Sequence, residues 1–366
     1  MNNKNKILPS FFRSLTLILS LSFSHVVSAD AVVFMYHHFG VETYPSTNIR
    51  IEQFEAQIEY LEKNDYQIWS LEKIADHINT GVAIPDRIIA LSIDDAYISV
   101  LTEAYPRLKR RGWPFTVFVA TDGIGQQQSA YMSWGQMRSM KKNGVSFANH
   151  SSSHDYLIQR KPEESLENWK IRIKADIEKA QYRLEKELGN APKLFAYPYG
   201  EYSIALKNII EELGYIAFGQ HSGAITINSD KHILPRYPMA ERFASMGEFM
   251  IKADSRAMPQ QQLQIIEPVI TSLVPPRLEL ALAKSDAQLE QLSCYASHQG
   301  RMDINWLDKK NRRFSIQSKL PLPVGRSRYN CTAPSSSDGR YYWFSQLWIR
   351  PEQTNDPHVI PNRKNP

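Results

Sequence analysis

The chain has 366 residues, of which 42% are hydrophobic, a share that is ordinary for a globular protein with a substantial core. Its formal net charge of +5 falls by three to +2 once residues 1–29 are set aside, because that segment holds three basic residues and no acidic one. So small an excess does not favour binding to nucleic acid, and no segment after residue 29 is long and apolar enough to predict a membrane span.

The N-terminal segment 1–29 has the pattern of a signal peptide. A basic lead precedes the apolar stretch 14–23, and Val27-Ser28-Ala29 is a small-residue cleavage site. A membrane anchor is the alternative, but the apolar stretch is well short of the about 20 residues that span a bilayer. The sequence therefore predicts an exported chain, periplasmic or extracellular, with no integral membrane segment after cleavage.

Between residues 30 and 254, short apolar runs alternate with amphipathic helical patterns. The runs have the Val, Ile and Phe content of buried parallel strands and cover 31–36, 88–93, 115–120, 145–148, 194–197 and 215–218. Among the helical patterns, Ser70 is placed to cap one helix, and a long apolar stripe over 169–188 ends near Gly189. This alternation predicts an α/β domain with a parallel sheet, open or closed into a barrel.

The pattern changes near residue 255. The Pro- and Gln-rich segment 255–276 predicts a linker or a lid, and strand-like runs separated by turn residues predict a small all-β module over 277–350. The polar, proline-rich tail 351–366 is predicted to be loose. Because an exported protein meets an oxidising compartment, a disulfide between Cys294 and Cys331 is the default, with two free thiols as the alternative.

Reactive residue types follow the apolar runs of the first domain directly. His37 comes after the first run, Asp94 and Asp95 come after the second, and His150 comes after the fourth. Because parallel strands end at the same edge of a sheet, and ligands bind at that edge, we expect these side chains to lie together.

The acidic pair and the histidine pair have complementary chemistry. Consecutive carboxylates at a strand end point in different directions, so Asp95 can hold a metal while Asp94 accepts a proton; a helix cap is the alternative reading. His150 and His154, four residues apart, can meet one ion if the segment turns helically, and with one carboxylate they form a zinc-type site. A 2-His-1-carboxylate iron oxygenase uses the same ligand set, although the adjacent base favours hydrolysis.

These residues resemble the motifs of the NodB-homology polysaccharide deacetylases, a carbohydrate esterase family. Ser92–Ala96 is similar to the first motif, His150–His154 to the second and Tyr197–Gly200 to the third. Met35–His38 and Leu234–Arg236 are similar to segments of the branch that acts on extracellular poly-N-acetylglucosamine. The resemblance covers about residues 31 to 240 and none of the C-terminal module.

The resemblance implies a distorted (β/α) barrel and a hydrolase that removes acetyl groups from an acetylated polysaccharide or oligosaccharide. The N-acetyl group of N-acetylglucosamine units is the first expectation, and an O-acetyl esterase remains open. By resemblance, Asp95, His150 and His154 bind one divalent metal ion, usually zinc. A non-catalytic glycan-binding protein built on the same fold is the alternative function.

The resemblance also implies catalytic roles. Asp94 would be the general base, and Arg236 would orient it and keep it ionised. The backbone N–H of Tyr199 would help to form an oxyanion hole. The usual acid-bearing Leu-x-His segment is missing, so we expect His37 to be the acid, with His221 and His232 as weaker candidates.

The remaining expectations concern the rim of the cleft. Tyr197, Pro198 and Trp134 are expected to contact substrate, with Met132-Ser133-Trp134 beginning a helix there. His38 is expected to be a solvated loop residue. Ala96 stands where the family usually has glycine, so the turn after the acidic pair has less backbone freedom.

Overall fold

The computed structural model describes residues 30–125, 130–263 and 265–351. The predicted signal peptide, 1–29, lies outside these ranges, as does the predicted tail from residue 352 onward. None of the helices in the described ranges combines the length and the apolar character that crossing a bilayer requires.

The first part of the described chain alternates strands with helices, as predicted. Its strands are β1 (Ala31–Tyr36), β2 (His38–Phe39), β3 (Asn48–Ile49), β4 (Gln67–Ile68), β5 (Ile88–Asp94), β6 (Thr116–Val119), β7 (Ser146–Asn149), β8 (Leu194–Ala196), β9 (Ile216–Phe218) and β10 (Tyr237–Pro238). Its helices are α1 (Ile51–Lys63), α2 (Leu71–Thr80), α3 (Tyr105–Arg110), α4 (Trp134–Lys141), α5 (Leu166–Leu188), α6 (Ile204–Glu212) and α7 (Met246–Ala253).

Eight of these strands form one parallel sheet that curls into a distorted barrel, which confirms the predicted fold class. The strand order is β10-β1-β5-β6-β7-β8-β9, and β4 pairs with the first residues of β5. The segment 234–238 completes the ring, because Leu234 forms a parallel bridge with Phe218 of β9 while Tyr237 pairs with Phe34 of β1. Arg236 therefore belongs to the segment that closes the barrel between β9 and β1.

The helices begin and end where the local sequence dictates. Ser70 caps α2 by accepting a hydrogen bond from the backbone N–H of Lys73, and Gly81 ends the helix with a φ of 67°. Ser165 caps α5 in the same way, and Gly189 follows its last residue. The predicted apolar stripe of α5, which is Trp169, Ile173, Ile177, Leu184 and Leu188, is buried. Ala180 and Gln181 of the same helix are buried as well.

The C-terminal part is an all-β module, as predicted. Its strands are β11 (Arg256–Ala257), β12 (Arg277–Ala281), β13 (Ser293–Ala296), β14 (Gly300–Met302), β15 (Asn305–Asp308), β16 (Arg313–Gln317), β17 (Gly325–Pro334) and β18 (Tyr341–Arg350). They form a five-stranded sheet, β11-β18-β17-β13-β14, and a three-stranded sheet, β12-β16-β15. Cys294 of β13 lies opposite Cys331 of β17, and a disulfide joins them.

The module packs tightly on the barrel domain. Within the segment 255–276, expected as a linker, β11 pairs in parallel with β18 and so extends the module's larger sheet. Leu347 and Ile349 of β18 are each 1% exposed and belong to the same apolar cluster as Trp169, Ile173 and Ile177 of α5. Trp343 packs edge-on against Tyr237 of β10, with 5.4 Å between ring centroids.

Candidate active site

The predicted site residues meet at the carboxyl end of the barrel strands. His37 follows β1, Asp94 is the last residue of β5 with Asp95 next to it, and His150 follows β7. The expectation that residues from separate strands converge at one end of a parallel sheet is therefore correct for these positions.

The backbone of this region is unusual. Asp95, Ala96, Ser151, His154 and Tyr199 have φ values of 74°, 54°, 66°, 56° and 59°, all in the left-handed region that favours glycine. Side-chain-bearing residues are held in that region only where the surroundings over-determine them, and such positions cluster at functional sites. In the turn after β5, Ala96 has this conformation although it carries a side chain, at the position where glycine was the expected residue.

Asp95, His150 and His154 form a compact group with one candidate ligand atom each, all within 4.8 Å of one another. Oδ1 of Asp95 lies 3.2 Å from Nε2 of His154 and 3.6 Å from Nε2 of His150. The three atoms are close enough for a single ion to contact all of them. One carboxylate and two imidazoles form a donor set suited to zinc that leaves further coordination positions open.

The orientation of His150 is fixed by the barrel. Its Nδ1 lies 2.7 Å from the carbonyl oxygen of Ala196 at the end of β8, so Nδ1–H donates there and Nε2 faces Asp95 with its lone pair. Burial lowers the pKa of His150 to about 4, which keeps the ring neutral, as metal binding requires. The loop between the two histidines is held by α5, because the carboxylate of Asp176 accepts hydrogen bonds from the backbone N–H groups of Ser152 and Ser153 at 2.9 and 3.0 Å.

Asp94 and Arg236 form a fully buried ion pair. Both side chains are 0% exposed, and two guanidinium nitrogens of Arg236 donate to the two carboxylate oxygens of Asp94 at 2.7 and 2.9 Å. Burial alone would raise the pKa of Asp94, but the charge of Arg236, with His150 and His37 nearby, holds it well below its usual range. Asp94 is therefore a carboxylate, in a fixed orientation, throughout the physiological pH range.

His37 lies beside this pair, with its Nε2 3.9 Å from Oδ2 of Asp94 and a side chain that is 14% exposed. The expectation for its neighbour His38 was wrong. His38 is 5% exposed and stacks between Tyr44 and Tyr97, with ring centroids 4.6 and 3.7 Å away. His38 is therefore a packed residue, and its backbone pairs with Asn48 of β3.

The two weaker acid candidates lie elsewhere. Nδ1 of His232 is 3.5 Å from Asp230 and 3.7 Å from Glu211, and its backbone carbonyl accepts from Tyr197, so it belongs to another cluster. His221 is buried near Tyr202, with ring centroids 6.2 Å apart. Of the three histidines considered as the acid, His37 is the one in ion-pair range of Asp94.

The segment Tyr197–Gly200, which resembles the third motif, contributes the ring of Tyr199 to the site and the side chains of Tyr197 and Pro198 to the core. The ring of Tyr199 packs edge-on against His154 at 4.7 Å. By contrast, Tyr197 is 0% exposed in the apolar cluster around α5, and Pro198 is buried at the start of the turn. Their side chains are not placed to contact a substrate, because the packing that holds the turn uses them.

Trp134, expected at the rim of the cleft, packs against the core and α5. It begins α4, as expected, and Ser133 caps that helix. Its ring is half-buried against the core, and the guanidinium of Arg183 on α5 lies 5.6 Å from the ring centroid. The structure thus gives Trp134 a packing role between α4 and α5.

Asp95, His150 and His154 are called the metal-type group below. The sequence did not lead us to predict the aromatic residues that lie beside this group. Tyr97, two residues after Asp95, stacks on Tyr131 at 5.1 Å, and burial together with the nearby Asp95 carboxylate raises its pKa. Tyr156, two residues after His154, stacks on Tyr199 at 4.0 Å. Their proximity in sequence to the two motifs was the available signal. Tyr97 thus lies near the Asp95 carboxylate, and the stacked Tyr156 and Tyr199 rings lie beside His154.

Comparison with known proteins identifies the domain that carries this geometry. Residues 81–218 match the family model described as polysaccharide deacetylase. This part of the chain, which holds Asp94, Asp95, His150, His154 and Tyr199, is therefore similar to polysaccharide deacetylases. The poly-beta-1,6-N-acetyl-D-glucosamine N-deacetylase of Staphylococcus aureus strain MRSA252 is 25% identical to it over 224 residues, which is 60% of this chain and 77% of that protein.

Solved structures agree with the deacetylase fold. The Streptococcus pyogenes deacetylase PplD in complex with acetate superposes with a TM-score of 0.55 at 22% identity, covering 62% of this chain and 99% of that one. IcaB from Ammonifex degensii gives a TM-score of 0.53 at 22% identity, covering 62% and 97%. The resemblance inferred from the motifs, the barrel fold and the assignment to an enzyme family are confirmed.

Proposed function

We propose that this protein is a metal-dependent deacetylase that removes N-acetyl groups from a poly-β-1,6-N-acetylglucosamine type of polysaccharide. One observation carries the proposal: a metal-type group of Asp95, His150 and His154 lies beside the buried Asp94–Arg236 pair in a polysaccharide deacetylase domain. The Staphylococcus relative, a deacetylase of that polymer, supports the substrate class.

The residues of the metal-type group fit a divalent cation. Asp95 and the neutral ring of His150 offer ligand atoms on a held backbone, and His154 completes the set. A bound zinc ion would lower the pKa of a water molecule and polarise the acetyl carbonyl. Its positive charge would also offset the Asp95 carboxylate, which lies 13% exposed among the histidines.

Asp94 is placed to act as the general base. Its carboxylate lies next to the metal-type group, and Arg236 fixes both of its oxygens. A carboxylate oxygen has a second lone pair beyond the one that faces the guanidinium, so Asp94 can still accept a proton from an attacking water molecule. Arg236 keeps Asp94 ionised before that transfer and stays buried beside it afterwards.

His37 and Tyr199 supply the remaining roles. The backbone N–H of Tyr199 would donate to the oxyanion that forms from the acetyl carbonyl. His37, within 4 Å of Asp94 and partly open to solvent, would protonate the leaving amine. The products are acetate and a free glucosamine unit, so the reaction balances with water as its second substrate.

The two alternative functions fit the site less well. A non-catalytic glycan-binding protein has no need for a buried, ionised carboxylate held by a fully buried arginine, since burying two charges is costly. An iron oxygenase has no use for a base beside its ligand set. Export of the protein, predicted from residues 1–29, is part of the proposal because an extracellular polysaccharide lies outside the cell.

The proposal is tested by acetate release from a panel of acetylated polysaccharides: poly-β-1,6-N-acetylglucosamine, chitin oligomers, peptidoglycan and an O-acetylated glycan. We expect release from the first substrate, loss of release after treatment with a chelator and recovery when zinc is added back. Release only from the O-acetylated glycan would replace the N-deacetylase by an esterase. Binding without acetate release from any member, with metal confirmed in the protein, would contradict an enzymatic role.

A further inference from the structure

The turn that carries Tyr199 is pressed against a neighbouring segment. Tyr199 has φ 59° and ψ 4°, and Gly200 follows with φ 67°. A Cβ atom on Gly200 would lie 2.4 Å from Cβ of Gln220, so the turn contacts Gln220 with no room for a side chain between them. The position of the turn therefore depends on how Gln220 is held.

Two arginines of the C-terminal module bind the Tyr199 turn and Gln220. Arg326 in β17 donates from Nη1 to the backbone carbonyl of Tyr199 and, at 3.3 Å, to Oε1 of Gln220. Its Nε lies 3.8 Å from the carboxylate of Glu201, the residue after Gly200. One guanidinium from the module thus contacts residues on both sides of Gly200.

Arg328 strengthens the same contact. It lies two residues further along β17, on the same face of the strand, and Nη2 donates to the backbone carbonyl of Gln220 at 2.8 Å. Burial, together with the charge of Arg326, lowers the pKa of Arg328 to about 10, so it stays charged at neutral pH.

The strand that presents these arginines is rigid. β17 is paired along its whole length with β18 and also with β13. Its alternate residues, including Tyr329 and the disulfide-bonded Cys331, are fully buried in the module. The module therefore acts as a fixed support for the guanidinium groups.

We propose that Arg326 is a positioning residue for the reaction: from the C-terminal module, it holds the Tyr199 turn of the deacetylase domain in its left-handed conformation. The conformation is unfavourable for a side-chain-bearing residue, so we expect the turn to relax in part when this contact is lost, although the packing of Tyr199 on His154 and Tyr156 remains. Relaxation at Tyr199 rotates the peptide plane whose N–H serves the oxyanion. The inference rests on the proposed function, and it makes the module part of the catalytic unit.

The test compares Arg326→Ala and Arg326→Lys with Arg301→Ala in the full chain loaded with zinc. Arg301 is an exposed module arginine on β14 and serves as the matched control. We expect Arg326→Ala to lower kcat about tenfold or more with KM and bound zinc unchanged, since a small misplacement of a positioned group is costly. Arg326→Lys, which keeps a charged donor, should recover part of kcat, and Arg301→Ala should match the wild type.

Hydrogen–deuterium exchange gives a readout that does not need activity. Peptides covering 197–202 should exchange faster in Arg326→Ala, while exchange in β5 and β7 stays unchanged. Unchanged exchange at the turn, or unchanged kcat, would overturn the inference. Faster exchange over the whole module, with no recovery in Arg326→Lys, would also overturn it in favour of a purely structural role. If the wild-type protein releases no acetate, the proposed function fails, while the exchange comparison still decides whether Arg326 holds the turn.

Discussion

At the residue scale, the Asp94–Arg236 pair connects catalysis with stability. Each charge is fully buried and is compensated only by the other and by nearby polar groups. Removing one partner leaves an uncompensated charge inside the barrel, a change that typically costs about 3–5 kcal/mol. We therefore expect Asp94→Asn to lose acetate release and also to lower the free energy of unfolding, measured by denaturant titration.

A double variant separates the two effects. Asp94→Asn combined with Arg236→Met removes both charges and replaces the guanidinium with an apolar side chain of similar length. We expect it to recover most of the stability lost in Asp94→Asn while remaining inactive. Acetate release by the double variant at the wild-type rate would show that Asp94 is not the base.

The metal ligands are tested separately from the base. His154→Ala removes one of three ligands, so we expect the zinc content of the purified protein, measured by mass spectrometry, to fall well below one per chain. Asp94→Asn/Arg236→Met should keep its zinc, because Asp94 is not in the ligand set. His298→Asn, at an exposed turn in the module, is the control. Full zinc binding by His154→Ala would contradict its assignment as a ligand.

His221 predicts a dependence of stability on pH. Burial, with the charges of Arg328 and Arg236, lowers its pKa from 6.5 to about 4 in the folded chain. Between these values the unfolded chain binds a proton at His221 that the folded chain does not, so stability falls as the pH falls from 6.5 to 4. The loss attributable to this residue is about 3 kcal/mol.

The measurement is the free energy of unfolding at pH 7 and at pH 4.5, for the wild type and for His221→Gln. We expect a smaller difference between the two pH values in the variant, because glutamine does not titrate. His298→Asn should keep the wild-type difference, since its histidine is exposed. An unchanged difference in His221→Gln would show that other groups cause the acid sensitivity.

At the element scale, the disulfide joins β13 to β17, the strand that carries Arg326 and Arg328. It closes a chain segment with a sequence separation of 37 residues, and cross-links of this length typically stabilise by about 2–4 kcal/mol. We expect Cys294→Ala/Cys331→Ala to lower the unfolding free energy of the chain by that amount. Denaturant titration of the double variant beside the oxidised wild type measures it, and equal midpoints would contradict the expectation.

The elements that position the site were predictable because their signals are local. Runs of Val, Ile and Phe predicted β1 and β5 to within one residue, the capping residue Ser70 predicted the start of α2, and Met132-Ser133-Trp134 predicted the start of α4. The convergence of the histidines and the acidic pair then followed from parallel topology. By contrast, the contact of Arg326 with Tyr199 spans 127 residues and leaves no periodic signal in either segment. The burial of Tyr197 was missed because the apolar cluster that covers it includes residues of α5, α6 and β18 that are distant in sequence.

At the scale of the whole molecule, the barrel and the module share apolar clusters. Leu347 and Ile349 of the module share an apolar cluster with Trp169 and Ile173 of α5, and Trp343 packs against a second cluster, which includes Tyr237 of β10. Separating the two parts would expose these residues to water, at a cost of about 25 cal/mol for each Å² of apolar surface. The shared clusters imply that neither part keeps its full stability alone.

Cooperative unfolding is the expected consequence. We expect one calorimetric transition for the full chain, with calorimetric and van't Hoff enthalpies that agree. Leu347→Ala, a cavity-forming change in the module, should cost about 2–5 kcal/mol and should speed hydrogen exchange in α5, which belongs to the other part of the chain. Leu307→Ala, also in the module but 39% exposed, is the matched control and should leave α5 unchanged. Two separate transitions, with Leu347→Ala moving only the one that belongs to the module, would show that the shared clusters do not couple the barrel to the module, and the role of β17 in holding the Tyr199 turn would then have to be purely local.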